Sequence, residues 1–568
     1  MTSTPLSDLL ARLEAIKGSF GKPEALRIQR LLTTLGRHTF PDAHPLIRFH
    51  EALMFLLAFP QTPAIRRQVD ALLTRFAIRV DALREAGADL SPLDPLEVSG
   101  IAGTVIEDKL NYDVTRWLSQ RSPAHVDAVW DDEAAPLRLG ATLPRFVPLL
   151  DDDAYVEADV PYGAWLAAAH GSRNRLAWLL SQFARLSVTG RERTELFDSL
   201  DLTIRWNLGN LRASRTRNWR AVRQVSYHDA PFIRRNDVDL RKEITAPLRL
   251  TRLSRREGEQ TLDFMREIMT VRRRELWGTT HGDPAQVVAA DVGRGLTIFL
   301  WGLPPERRLP LRAYLAGFGL KNGVPINYVE AIGLGDWMEV GFNTFYTFRD
   351  GESAWNYAQA LRCLHRLTGM TCVSVYPFQI GLGNDEAIES GAFWFYRKLG
   401  FRPERVDVRE ILAREERKIA ARPGYRTPPS TLRKLAAGNL FFELPGTAAG
   451  LWDTFRTRNI GFKVQRWIAR NSAGDSDLAR RRAAAALARV LGERREAWAG
   501  EAGRVFTDVA LVLALVPDLG RWSVEEKDAI GRIIRAKAAQ NEWRFLRLLQ
   551  AHSRLKTALI ELGTSPPR

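Results

Sequence analysis

The chain has 568 residues, of which 45% are hydrophobic and 26% are charged, and its formal net charge is +16. This composition excludes intrinsic disorder, and the length predicts about three or four domains. The only cysteines, Cys363 and Cys372, exclude a disulfide framework. The N-terminal residues lack the pattern of a signal peptide, and no apolar run is long enough to cross a bilayer. We therefore expect a cytoplasmic protein without a membrane segment.

The spacing of apolar residues in 1–120 predicts a helical N-terminal domain. Leu9, Leu10 and Leu13 begin one amphipathic stripe, and the apolar residues of segment 63–83 recur at helical spacing. No pattern of catalytic or metal-binding side chains stands out here, so this domain carries no functional prediction of its own.

Residues 121–247 form a connecting region with an acidic part and a basic part. The acidic part, 127–159, holds 9 Asp or Glu against 2 Arg and includes the run Asp151–Asp153. Carboxylate oxygens are ligands for divalent cations, but the run lacks the spacing of a calcium loop. A solvated acidic loop is the favoured interpretation.

The basic part, 205–223, contains no acidic residue. Its six arginines and two tryptophans are Arg205, Trp206, Arg212, Arg215, Arg217, Trp219, Arg220 and Arg223. Arginines with interleaved aromatic residues are suited to phosphate contacts and base stacking, so one interpretation is a site for nucleic acid, including tRNA. In the other interpretation, this segment docks on the acidic segment 127–159 and its tryptophans lie in a core.

The hydrophobic period changes in residues 248–404, where strands and helices alternate. We predict strands at 248–253, 296–303, 314–320, 324–332, 339–348 and 371–378, and helices at 257–276, at 353–368 and from Asn384 to Gly400. Asn322-Gly323 predicts a tight hairpin between the strands at 314–320 and 324–332. The strands at 339–348 and 371–378 are expected to be parallel neighbours joined by the 353–368 helix.

Residues 405–568 predict a helical C-terminal domain. Ser523 and Glu526 have the spacing of a capping box, and the apolar residues after them, from Ile530 to Leu549, predict one side of a long helix.

The central region resembles the GNAT N-acyltransferase superfamily. The stretch Ala392-Phe-Trp-Phe-Tyr396-Arg-Lys-Leu-Gly400-Phe401 is similar to the family pattern A-x-x-x-Y-x-K-x-G-F, and the turn from Arg349 is similar to R/Q-x-x-G-x-G/A. The resemblance covers just over a quarter of the chain. It implies a multidomain α protein with a central α/β domain, in which a GNAT-like mixed sheet is flanked by helical N- and C-terminal domains.

By this resemblance, the turn at the start of the 353–368 helix binds the pyrophosphate of acetyl-CoA or another acyl-CoA. The cofactor-binding residues would be Arg349, Gly351, Glu352, Ser353 and Ala354. Backbone N–H groups at a helix N-terminus attract anions. The sequence departs from the family, because Glu352 stands where the first glycine is expected and Gly351 precedes it. Glu352 and Ser353 are alternatively caps of the helix.

The resemblance also implies the catalytic residues. Tyr396 would donate a proton to the departing thiolate, since a phenol has a higher pKa than a thiol. Glu339 and Glu330, on the central strands, are the candidates for the general base. No metal is implied.

Three functions follow from this reading. The first is an acyl-CoA-dependent N-acyltransferase, acetyltransferase-like, that acts on an unidentified amine. The second is a non-catalytic GNAT-like binding or scaffold protein. The third is an aminoacyl-tRNA-dependent transferase of the same fold, which the basic residues favour.

Overall fold

The computed structural model describes residues 5–130, 135–146, 162–274 and 276–566, and the acidic run Asp151–Asp153 lies outside them. The chain forms two compact units. The first consists of residues 1–220, 227–229 and 263–276, and the second of residues 221–226, 230–262 and 277–568.

The first unit is mainly helical. Its helices are α1 (Leu6–Ile16), α2 (Lys22–Arg37), α3 (Ala43–Ala58), α4 (Pro63–Thr74), α5 (Phe76–Glu85), α6 (Tyr112–Arg121), α7 (Ala135–Thr142), α8 (Tyr162–His170), α9 (Arg175–Arg185) and α10 (Gly190–Asp198). Strands β1 (Val105–Asp108), β2 (Val126–Ala128) and β3 (Ile204–Asn207) form an antiparallel sheet in the order β1-β3-β2.

The second unit is built on one mixed sheet of nine strands. Its strands are β4 (Thr251–Arg252), β5 (Val288–Asp291), β6 (Leu296–Trp301), β7 (Ala313–Lys321), β8 (Val324–Leu334), β9 (Trp337–Thr344), β10 (Cys372–Val375), β11 (Arg402–Pro403) and β12 (Leu440–Glu443). They lie in the order β11-β12-β10-β9-β8-β7-β6-β5-β4. Only the β9–β10 pair is parallel among these strands.

Helices precede, interrupt and follow the strands of this sheet along the chain. Up to β11 they are α11 (Leu240–Thr245), α12 (Arg255–Thr270), α13 (Trp277–Thr280), α14 (Ser353–Thr368), α15 (Pro377–Ile380), α16 (Asp385–Glu389) and α17 (Ala392–Lys398). After it come α18 (Val406–Ala421), α19 (Pro429–Leu435), α20 (Thr457–Ser472), α21 (Ser476–Leu491), α22 (Gly500–Leu513), α23 (Val524–Ala538), α24 (Trp543–Ala551) and α25 (Ser553–Thr564).

The predicted hairpin is confirmed. Asn322 and Gly323 both have positive φ angles, 50° and 83°, as a two-residue turn between antiparallel strands requires. Glycine adopts this conformation without a steric penalty, and asparagine tolerates it better than most residues.

The predicted parallel pair is also confirmed. Ser374 of β10 lies opposite Glu339 of β9 in a parallel register, and α14 is the crossover between the two strands. Helix α14 ends at Gly369, whose φ of 78° is the left-handed cap that stops the helix.

Several predicted boundaries are wrong. The strand at 248–253 is limited to Thr251–Arg252, and the strand at 371–378 ends at Val375 because Pro377 starts a short helix. The predicted helix from Asn384 to Gly400 is two helices, broken where Gly391 has a φ of 67°.

The C-terminal region is not purely helical, since β12 joins the sheet by pairing with β10. The Ser523–Glu526 capping box is confirmed, but its helix ends at Ala538 and a second helix begins at Trp543. Among the residues that the structure describes, none of the helices combines the length and apolar character needed to span a bilayer.

Candidate functional site

A cleft of about 260 Å³ lies where β9 and β10 end and α14 begins, and we call it the β9–α14 cleft. Phe342, Asn343 and Thr344 line it from β9, Arg349 and Ser353 from the start of α14, and Gln379, Asn384, Phe395 and Tyr396 from the segment after β10. The cleft therefore connects the predicted anion-binding turn with the predicted acid, Tyr396.

The pairing between β9 and β10 ends at this cleft. It reaches Glu339 and Ser374, β10 ends one residue later at Val375, and β9 continues to Thr344. Beyond the end of β10, the Gln379 side chain donates its Nε2 hydrogen to the Phe342 carbonyl oxygen at 2.9 Å. A side chain thus pairs with the part of β9 that extends past β10.

Glu352 does not have the predicted capping role. Its side chain is fully buried, makes no hydrogen bond that caps α14, and accepts hydrogen bonds from Arg294, from Lys321 Nζ at 3.3 Å and from the Ile233 N–H at 3.2 Å. These cations compensate its charge. Burial favours the neutral carboxyl, but the hydrogen bond from Arg294 and the charge of Lys321 hold the pKa of Glu352 below its usual value.

The backbone N–H groups of the turn differ in whether they already have a hydrogen-bond acceptor. The Gly351 N–H donates to the Phe348 carbonyl oxygen at 3.0 Å, so Gly351 is not a free anion donor as predicted. The N–H groups of Glu352, Ser353 and Ala354 have no acceptor among the described residues. Ser353 Oγ donates back to the Arg349 carbonyl oxygen at 3.1 Å. The first turn of α14 keeps unpaired N–H donors of the kind that a phosphate group would need.

The Arg349 guanidinium is the cation next to this turn. It forms an ion pair with Glu386 and lies over the Tyr346 ring, 5.2 Å from the ring centroid. Both partners of the pair are substantially exposed, so the ion pair is weak and its arginine can exchange partners.

Tyr396 is enclosed by aromatic rings on α14 and α17. Its side chain is buried, and its ring lies 5.5 Å from that of Tyr357 and 5.6 Å from that of Phe401. Burial raises the pKa of Tyr396, and a hydrogen bond with Gln379 partly opposes the rise. The hydroxyl consequently keeps its proton at neutral pH.

The two predicted bases lie on one face of β8 and β9, and Asn343 of the cleft lies on this same face. Ile332 of β8 lies opposite Tyr314 of β7 and opposite Glu339 of β9. Glu330 precedes Ile332 by two residues, so its side chain lies on the same face of the sheet as Tyr314 and Glu339. Tyr314 donates its hydroxyl hydrogen to Glu330. Burial raises the pKa of both carboxyl groups.

Sequence reasoning missed three residues of this site. Tyr376 follows β10, and burial together with the charges of Glu330 and Glu339 raises its pKa. Gln379 donates a hydrogen bond to β9 beyond the end of β10, and Arg312 lies within electrostatic range of Glu339. Tyr314 and Glu330 could have been linked from their alternation on a predicted hairpin, but Arg312 and Gln379 lie outside any strand and gave no such signal.

Part of the basic segment 205–223 is buried or forms ion pairs inside the first unit. The Arg215 guanidinium is buried and donates to both carboxylate oxygens of Glu51 at 2.9 Å. Trp206 is buried in the core, whereas Arg212 remains exposed. Strand β3 also pairs with β2, which places Arg205 opposite Asp127. Trp206 thus lies in a core as the docking interpretation expects, but Arg205 and Arg215 pair with Glu107 and Glu51, which lie outside the acidic segment 127–159.

The β9–α14 cleft with Tyr396 and the carboxylates of Glu330 and Glu339 thus all lie around β9, and Tyr376 interacts electrostatically with Tyr396 and with both carboxylates. The chain matches no protein-family model, no curated protein and no solved structure at a significant level. The arrangement of side chains around β9 is consequently the guide to its chemistry.

Proposed function

We propose that the protein is an acyl-CoA-dependent N-acyltransferase that acts on an amine. The observation that carries this proposal is the end of β10 at Val375, while β9 continues to Thr344. The β9–α14 cleft lies at this end of β10, and two carboxylates, Glu330 and Glu339, lie on β8 and β9. A thioester in the cleft and an amine held beside these carboxylates would meet at the end of β10.

The first turn of α14 would hold the pyrophosphate of the acyl donor. The N–H groups of Glu352, Ser353 and Ala354 supply hydrogen bonds and positive partial charge, and Arg349 supplies a full charge beside them. Glu352 does not repel the donor strongly, because its carboxylate is paired with Arg294 and Lys321. This removes the main objection that the sequence raised.

The residues around β9 would orient the reaction and move its protons. The donor supplies an activated acyl group on sulfur. Glu339 or Glu330 accepts the proton of the attacking ammonium group, and a carboxyl with a raised pKa is a better base for this step than an ordinary one. Tyr396 donates its hydroxyl proton to the departing thiolate, and Gln379 holds that hydroxyl in place.

Two contacts favour the non-catalytic alternative. The Gln379 side chain is hydrogen-bonded to β9 at the cleft, and Arg349 is paired with Glu386. Both contacts would have to rearrange before a donor could enter the cleft. A binding or scaffold protein would retain them.

Calorimetry with acetyl-CoA and CoA tests the proposal in the full-length protein. We expect binding, and we expect Ser353→Glu to abolish it by placing a carboxylate at the pyrophosphate site. A carboxylate in the first turn of a helix stabilises that helix, so a loss of binding could not be attributed to misfolding. Ser353→Gln is the uncharged control and should bind. Absence of binding by the wild-type protein at millimolar CoA would exclude the acyltransferase.

A further inference from the structure

A second cavity, of about 360 Å³, lies between residues 309–312 and helices α20, α21 and α22. We call it the helical cavity. Its walls are mainly apolar and include Leu309, Leu311, Ile460, Val464, Ile468 and Leu511. A cavity of this size with a few polar groups is typical of a small-molecule site.

Two arginines line the helical cavity, but their situations differ. Arg480 lies near Asp508, with 3.6 Å between its Nε and the Asp508 Oδ1. Arg312 is largely removed from solvent, which lowers its pKa, and its guanidinium makes no hydrogen bond or ion pair with any residue that the structure describes. A guanidinium can bind a carboxylate through two parallel hydrogen bonds.

Glu339 is the charge that acts on Arg312. Arg312 directly precedes β7, two residues before Tyr314, and Tyr314 lies in line with Glu339 across β8. Arg456 and Glu404 also act on Glu339, but they pair with each other at 2.9 Å and so compensate one another. Arg312 and Glu339 form no ion pair within the described residues. A cation and an anion without such partners, in the same part of the sheet, are complementary to a zwitterion.

We propose that the helical cavity is the acceptor site and that the acceptor is an α-amino acid with an apolar side chain. The carboxylate would bind Arg312, the ammonium group would lie at Glu339, and the side chain would occupy the cavity. This inference rests on the proposed acyl transfer for the fate of the amine, but the binding site itself does not depend on it.

The transfer balances with the residues present. The ammonium group gives one proton to Glu339, and its nitrogen then forms a bond to the acyl carbon. The bond between that carbon and sulfur breaks, and the sulfur takes a proton from Tyr396. The nitrogen loses a second proton to water and keeps one as the amide hydrogen. Glu339 then releases its proton and Tyr396 regains one from water, so the products are an N-acyl amino acid, the free thiol and one proton.

Equilibrium titration of the full-length protein without CoA tests the site. The probes are norleucine, phenylalanine and tryptophan, with hexanoate and pentylamine as analogues of norleucine that lack the amine and the carboxylate, respectively. We expect at least one amino acid to bind, and each analogue to bind roughly 10-fold more weakly or worse than norleucine, since each loses a charge-assisted contact. Failure of all three amino acids to bind, or hexanoate binding as tightly as norleucine, would overturn the assignment.

Two variants and a control complete the test. Arg312→Gln should weaken amino-acid binding by roughly 10-fold or more. Val464→Phe should also block binding, by filling the cavity without changing Arg312. Arg458→Gln removes an exposed arginine on α20 and should leave binding unchanged. Wild-type affinity in Arg312→Gln would refute the site. CoA is titrated separately, so the two proposals can fail independently. Binding of an amino acid without binding of CoA would reject the acyltransferase and retain the amino-acid site. Binding of CoA without binding of any amino acid would reject the amino-acid site alone.

Discussion

Lys321 Nζ lies 3.3 Å from the Glu352 carboxylate, and both side chains are completely buried. Lys321 ends β7 at the hairpin turn and Glu352 precedes α14, so this pair fixes the start of the helix against the sheet. Arg294 completes the cluster, and burial lowers the pKa of Lys321 to about 8.

Removing one member of this pair should be costly. We expect Glu352→Gln to reduce the free energy of unfolding by about 3–5 kcal/mol, because Lys321 would remain buried without its counter-charge. Urea denaturation measures the change. Replacing both residues together, as Lys321→Met with Glu352→Leu, should recover much of the loss. A Glu352→Gln protein as stable as the wild type would contradict a structural role for the pair.

The Tyr396 hydroxyl should matter for chemistry and not for binding. In the proposed transferase, Tyr396→Phe should leave CoA affinity nearly unchanged and slow acyl transfer by roughly 10²–10⁴-fold. Tyr357→Phe is the matched control. That hydroxyl is also buried, beside Tyr396, but it has no hydrogen-bond partner among the described residues. Equal rate losses in the two variants, measured in single turnovers, would show that packing and not proton donation is responsible.

The pH dependence of acyl transfer should report the two carboxyl groups. Burial raises the pKa of both Glu330 and Glu339, and the deprotonated form is the active base. The value of kcat/KM should therefore fall as pH decreases, and this fall should be centred above the ordinary pKa of about 4.3 for glutamate. Glu339→Gln or Glu330→Gln should remove the acidic limb and much of the rate. The exposed Glu410→Gln should leave the profile unchanged.

The arginines of the basic segment should separate into two classes. Arg215→Ala leaves Glu51 without its bidentate partner and should lower the stability of the first unit by about 3–5 kcal/mol, as measured by thermal denaturation. Arg212→Ala changes an exposed residue and should leave stability within about 0.5 kcal/mol of the wild type. If this segment binds RNA, Arg212→Ala is the cleaner probe of these two variants, because it does not disturb stability. It should reduce the salt dependence of RNA affinity. A fully stable Arg215→Ala protein with weaker RNA binding would contradict the internal role.

The order of strands and helices around β9 follows from local signals in the sequence. Asn322-Gly323 specifies a turn by its own backbone preferences, and the periods of α14 and β9 arise from residues a few positions apart. Strand β12 could not be predicted in the same way. It has four residues within a largely helical region, and it is a strand because β10 offers it a partner.

The sequence predicted only those parts of the candidate site that belong to single short motifs. Tyr396 and the turn at Arg349 belong to short patterns, and both line the β9–α14 cleft. The role of Glu352 depends on Lys321, Arg294 and Ile233, which are 31 or more positions away in the chain. Such contacts are set by the tertiary structure, so the sequence could suggest a cap or an anion site but not a buried ion pair.

The pairing of β12 with β10 bears on where this protein can be cut. Removing everything after residue 404 would eliminate β12 and leave Cys372–Val375 as an edge strand, and its unpaired backbone groups would invite another chain to add to the sheet. The segment 248–404, which alone carries the resemblance to an acyltransferase, is therefore a poor candidate for expression as an isolated fragment. Its solubility depends on a strand that the helical region contributes.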